Sequence, residues 1–152
     1  KDLKLDLTNG VLIHGGGWKK LINIAVDSNT FRKKLKSVSN INRVHDYYGM
    51  VEQTGSIHME CEKGYLHTSE YSDIIIRGFN DFEVLENGKE GIVQLISLIP
   101  LSYPGNSILT EDLGYIVGED DCLCGRKGKY FKITGRIKKA ELRGCSDTYT
   151  ND

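Results

Sequence analysis

Four short stretches of this 152-residue chain carry side chains suited to chemistry. In Tyr48-Gly49-Met50-Val51-Glu52 an aromatic ring at a strand end could stack on an adenine face. Gly49 would let backbone approach a ligand closely. Glu52, four residues after the tyrosine, could bind a Mg²⁺ ion that neutralises phosphate charge. The plainer reading is a strand end followed by a surface Glu. In Glu111-Asp112-Leu113-Gly114, a carboxylate in a tight turn could accept two hydrogen bonds from a ribose diol. An ordinary acidic turn residue would look the same. Gly135-Arg136 follows the strand-like run Tyr130 to Thr134. Its guanidinium fork suits ribose or phosphate, and equally a solvated strand end. Cys122 and Cys124 are too close in sequence to bridge to each other without severe strain.

The elements that must position these residues can be read from pattern. Gly10 to Ile13 is a short apolar strand entering the glycine loop His14-Gly15-Gly16-Gly17-Trp18. Ser28 is placed to cap a helix whose Phe31, Leu35 and Val38 share one face, with the basic residues 32 to 34 and 36 mostly off it. Asn40 stops that helix, and Arg43 to Tyr48 forms a second strand. Strand, helix, strand predicts a parallel βαβ unit. Beyond Gly55 the pattern changes to short strands: Ile57 to Cys61, Tyr65 to His67, Ile74 to Gly78, Phe82 to Leu85 and Ile92 to Ile99. Ile108 to Leu109, Leu113 to Val117 and Lys129 to Ile137 continue the series. Glu86-Asn87-Gly88-Lys89 is a hairpin turn, since Asn-Gly tolerates positive φ. The expected fold class is α/β, with a βαβ start feeding a mainly β second half. Residues 1–145 form one domain portion and residues 146–152 a polar tail.

Bulk properties narrow the partners. A formal net charge of −1 advertises neither nucleic acid nor an anionic membrane. No apolar run is long enough to span a bilayer. The chain starts at Lys1 without a secretion signal, which favours a cytoplasmic setting. In a reducing cytosol, clustered cysteines among the four present more often bind metal or do chemistry than form disulfides.

The order and spacing of Tyr48 to Glu52, Thr110-Glu111-Asp112-Leu113-Gly114 and Gly135-Arg136-Ile137-Lys138 resemble the adenylating-enzyme superfamily. Acyl-CoA ligases, peptide-synthetase adenylation domains and firefly-type luciferases belong to it. The resemblance runs from about Gly15 onward, and implies part of the large domain of such an enzyme, with ATP and AMP as nucleotides. It implies adenine stacking by Tyr48 and a metal or phosphate role for Glu52. It also implies ribose binding by Asp112 and a hinge-adjacent contact from Arg136. Gly15, Gly16 and Gly17 would lie beside the acyl and adenine pocket; a mobile surface turn is the plainer reading. Val51 departs from the usual Thr or Ser, which puts a hydroxyl contact to the AMP phosphate in question.

Two branches are similar. Glu60-Cys61-Glu62, Gly64-Tyr65-Leu66-His67 and Cys122-Leu123-Cys124-Gly125-Arg126 resemble phenylacetate–CoA ligases. Three thiolates and one imidazole suit tetrahedral Zn²⁺, so Cys61, His67, Cys122 and Cys124 are expected to form a structural zinc site with no open position. Four unrelated residues, with Cys61 simply buried, is the alternative. His14, His45 and His58 are expected at ordinary polar or half-buried positions.

His14 to Lys19, Tyr48 to Gln53 and Arg143-Gly144-Cys145-Ser146 resemble the LuxE-type acyl-protein synthetases more closely. That likeness implies adenylation of a fatty or related (aromatic) carboxylic acid. The acyl group then passes to a cysteine near the carboxy end and onward to a reductase or carrier protein. Cys145 is the matching nucleophile, or else a packing residue. No Ser/Thr/Gly-rich phosphate loop precedes this region, and too few residues follow Arg136 for a further domain. The expectation is a portion of a larger synthetase, inactive alone.

Overall fold

The computed structural model of the chain describes residues 5–137. Two sheets build it. The first is three-stranded in the order β1 (Val11–Gly15), β2 (Arg43–Tyr48), β3 (His58–Met59). β1 and β2 are parallel, with His14 opposite Asp46 and Gly15 opposite Tyr47. The single α-helix among the described residues, α1 (Ser28–Ser39), makes the crossover. The βαβ expectation is therefore met.

Two details of α1 differ from expectation. Asp27, not Ser28, caps it: its carboxylate accepts from the Thr30 backbone N–H at 3.0 Å and the Thr30 hydroxyl at 2.6 Å. A carboxylate in this position also suits the positive end of the helix dipole. Val38 points outward at 71% exposure, and Ser39 takes the buried place on the stripe that begins at Phe31 and Leu35. The step from 35 to 39 keeps the stripe on one face better than the step to 38. Asn40 ends the helix as expected, in the left-handed region at φ 58°, with its N–H donated to the Lys36 carbonyl.

The second sheet is antiparallel throughout, in the order β4 (Leu66–His67), β8 (Lys129–Arg136), β7 (Ser107–Glu119), β6 (Gly91–Ser97), β5 (Ser72–Arg77). Its core is Leu66, Ile74, Ile76, Val93, Leu95, Ile116 and Phe131. Tyr48 and Met50, from the end of β2, pack against that core and tie the two sheets together. The expected break between residues 109 and 113 is absent, and one strand runs through both runs. Glu111-Asp112-Leu113-Gly114 is thus not a tight turn but lies inside β7, across from β8, with a register shift at Leu113/Gly114. Phe82 to Leu85 is not a strand either. Phe82 sits at φ 57° and only Val84 bridges, to Arg77. Gly88 does turn at φ 83°, as the Asn-Gly pair requires. None of the described helices is long and apolar enough to cross a membrane.

Candidate functional site

Three of the sequence-selected residues converge where β2 meets the start of β7 and the end of β8. Asp112 and Arg136 are ladder partners across β7 and β8. Arg136 Nε lies 3.3 Å from Asp112 Oδ1, and its Nη2 donates to Glu111 Oε2 at 2.7 Å. The Tyr48 hydroxyl donates to Asp112 Oδ2 at 2.7 Å. Asp112 is tied down at its backbone as well, its N–H donating to Thr110 Oγ1 at 3.0 Å. The Thr110 hydroxyl in turn donates to the Val93 carbonyl at 2.8 Å. Burial, then the bond to Asp112 and its negative charge, push the Tyr48 phenol far above its ordinary range. It therefore stays a donor at any working pH.

Tyr48 is also held by rings. His58 stacks on it at 6.1 Å between centroids and 29° between planes, and Phe131 meets it edge-on at 6.3 Å. His58 is not half-buried as expected: it is fully enclosed, and burial lowers its pKa. Its strand is inverted relative to its hydrophobic pattern, with Ile57 53% exposed and the polar His58 and Glu60 inward.

The other expected nucleotide residues sit at or just after the ends of β1 and β2. Gly15 closes β1 beneath the Tyr47 ring; a Cβ there would come within 2.6 Å of it. Gly16 turns at φ 82°, and both Gly16 and Gly17 have open space around them. Gly49 passes the Ser56 carbonyl, which a Cβ would approach to 3.2 Å. Glu52 is exposed on the 3₁₀ turn Val51–Gln53, and among the described residues its carboxylate makes no hydrogen bond or ion pair. Cys145 lies outside the described residues.

Sequence reading missed one buried carboxylate. Glu60, 8% exposed, accepts from Arg32 of α1 and from the Asp46 backbone N–H at 2.9 Å. Arg32, one of the basic residues expected mostly off the apolar face, thus reaches a buried carboxylate. The signal was available in principle: a charged residue at an inward position of a strand needs a partner. Which partner depended on where the helix landed.

At the far end of the β7–β8 ribbon the four expected metal ligands do come together. The ligating atoms of Cys61, His67, Cys122 and Cys124 all lie within 4.8 Å of one another. Cys124 Sγ is 3.4 Å from His67 Nε2. That is close to an edge of a zinc tetrahedron, roughly 3.5 Å from the usual Zn–S and Zn–N lengths. Cys61, His67 and Cys122 are buried. The Cys122 thiol is pushed up to about 11, by burial first and by the neighbouring sulfurs. Burial works against the Cys124 thiolate too, but the Arg126 N–H and the other two thiols hold Cys124 below its ordinary value. Burial, then the charge of Arg126, lower the His67 pKa. Soft donors, one of them already favouring the thiolate, fit a d¹⁰ cation.

No curated protein sequence matched the chain. Among solved structures it is similar in fold to the luciferase-like enzyme of the nonluminescent mealworm Zophobas morio. The TM-score is 0.59 at 17% identity, over 90% of this chain and 34% of that one. A long-chain-fatty-acid–CoA ligase of Archaeoglobus fulgidus gives 0.58 at 12%, over 90% and 30%. Apo MatB of Rhodopseudomonas palustris gives 0.55 at 16%, over 84% and 26%. The chain therefore spans about a quarter to a third of the length of these structures. The family described as "Acyl-protein synthetase, LuxE" matches residues 2–152, nearly the whole sequence, and the chain belongs to that family.

Proposed function

We propose that this chain is the adenine- and ribose-binding part of an ATP-dependent acyl-protein synthetase acting on a fatty or related carboxylic acid. The observation that carries the reading is the convergence of Tyr48, Asp112 and Arg136 at one strand end. The Asp112 carboxylate accepts the ribose hydroxyls, and Arg136 holds its charge and meets the nucleotide. Tyr48, Gly49 and the Gly15 to Gly17 loop border the adenine and the acyl chain. Glu52, exposed and unpartnered among the described residues, is free to hold Mg²⁺, which supplies charge neutralisation at the phosphates.

In the first step a carboxylate oxygen of the acid attacks the α-phosphorus of ATP and pyrophosphate leaves. In the second a thiolate attacks the acyl carbonyl carbon, the C–O bond to phosphate breaks and AMP leaves. Cys145 supplies that thiolate, and a reductase or carrier protein is the onward acceptor. The Cys61–His67–Cys122–Cys124 cluster holds Zn²⁺ as a structural ion, because four protein ligands leave no open position.

Fatty-acid-dependent ATP–pyrophosphate exchange by the full-length protein tests the first step, and its absence overturns the reading. A hydroxylamine-labile acyl adduct seen by intact mass and lost in Cys145→Ala tests the second. An adduct that survives that change removes Cys145 and favours transfer to CoA. The closed Cys/His cluster favours one other reading, a zinc-stabilised scaffold without catalysis. It predicts bound zinc and no AMP affinity at full length.

A further inference from the structure

Tyr48 reads from sequence as a flat surface for adenine, yet its ring is already engaged. His58 covers it in a stacked arrangement, Phe131 meets it edge-on, and it packs against the core of the second sheet. What it directs toward the site is its hydroxyl, bonded to Asp112 Oδ2.

We propose that Tyr48 is a positioning residue for a vicinal diol: its hydroxyl fixes the plane of the Asp112 carboxylate, so that the free lone pairs of Asp112 are presented to the two ribose hydroxyls. The inference rests on the nucleotide reading above. A carboxylate on a single Cα–Cβ stem rotates broadly about its last torsion. Three restraints remove that freedom here. Oδ2 is held at 2.7 Å by the phenol, Oδ1 faces Arg136 Nε at 3.3 Å, and the backbone N–H is held by Thr110 Oγ1 at 3.0 Å. Each carboxylate oxygen has two acceptor sites, so one partner per oxygen leaves one open on each for a diol. The Asp112 side chain keeps 19% exposure, enough for a ligand to reach it. The ring restraints on Tyr48 complete the device. His58, opposite Tyr48 in the β2–β3 ladder and fully enclosed, carries no solvent contact of its own and supports the phenol from behind. Ordering the acceptor before the ligand arrives removes an entropic cost from binding.

Paired titrations of the full-length protein with AMP and with 2′,3′-dideoxy-AMP test this. The wild type is expected to bind AMP more tightly than the dideoxy analogue. Tyr48→Phe keeps the ring and its packing and removes only the hydroxyl. It is expected to weaken AMP by about tenfold, a charged hydrogen bond's worth, and to leave the dideoxy analogue within about twofold. The Tyr48→Phe/Asp112→Asn double variant is expected to match Asp112→Asn alone. Replacing Tyr48 with 3-fluorotyrosine, which retains the hydroxyl, is expected to restore the preference for the diol. Equal weakening of both nucleotides by Tyr48→Phe would mean that the hydroxyl acts on something other than recognition of the diol, and would overturn the proposal. So would an unchanged preference. A wild type that binds neither nucleotide overturns the nucleotide reading itself, and the inference falls with it.

Discussion

At one end of the β7–β8 ribbon Asp112 faces Arg136; at the other Glu119 faces Lys129 and the chain turns through Cys122 and Cys124. The two ends use opposite chemistry. The cysteine end gathers soft donors from two tight local turns, Cys61 to Gly64 and Cys122 to Gly125, each closed by a backbone hydrogen bond of 2.9 Å. Its four donor atoms lie within 4.8 Å of one another. The Asp112 end is built from side chains on three strands, β2, β7 and β8, and its acceptors keep unused capacity. Under the proposed function, the two ends divide stability from binding. On that reading a closed Cys/His cluster anchors the ribbon, and the Asp112 cluster at its opposite end, with acceptor capacity to spare, meets ligand.

The division can be broken at its strongest point first. Cys122→Ser is expected to lose the bound metal and at least about 3 kcal/mol of stability, seen together by zinc content and urea midpoint. Chelation of the wild type should reproduce the effect, and AMP affinity should stay within about twofold while the chain remains folded. A large loss of AMP binding with the fold intact would join the two ends into one site.

Between them lies Gly114, whose added Cβ would come 2.4 Å from the Lys132 carbonyl of β8 and 3.2 Å from Val93. Gly114→Ala should therefore cost about 2 kcal/mol in urea unfolding, through overpacking at a backbone that has no room to shift. Asp112→Ala sharpens the comparison from the other side. It should weaken AMP about tenfold in titration calorimetry and shift the urea midpoint far less than Cys122→Ser does.

A smaller effect follows acidification. Burial lowers the His58 pKa, so the folded chain favours the neutral ring, while the unfolded chain takes up a proton near the ordinary value of about 6.5. Stability is full above that value and is lost as pH falls below it toward the folded pKa, at up to about 1.4 kcal/mol per pH unit. Urea unfolding between pH 7.5 and pH 5.5 should show that slope, and His58→Phe should flatten it. Loss of the Lys129 ammonium, 2.8 Å from Asp73 Oδ2, should have the smallest effect. The pair is partly exposed, so Lys129→Ala is expected to cost about 0.5 kcal/mol, shrinking in high salt.

The sequence made the local parts legible. Asn40 stops α1 because Asn tolerates the left-handed region, and Gly88 turns because glycine does. Gly10 to Ile13 and Arg43 to Tyr48 read as strands because each is short and apolar or aromatic. The failures have separate causes. Phe82 to Leu85 has strand-like residues, but Phe82 at φ 57° breaks the extended run. Residues 109 to 113 carry turn-like residues, but long pairing on both sides of β7 overrides them. Ser28 was expected to cap α1, and Asp27, one residue earlier, does so.

Which residues could take part was legible in the chain alone: the order of the Tyr48, Thr110 and Gly135 motifs, and the four ligands of the cysteine end. Three of those ligands sit in short turns, and His67 lies on the short strand β4. Only the tertiary structure decided that the Tyr48 hydroxyl meets Asp112, that Arg32 reaches buried Glu60, and that His58 rather than Ile57 faces inward. These depend on register between strands far apart in sequence, where a slip of one residue turns every side chain to the opposite face.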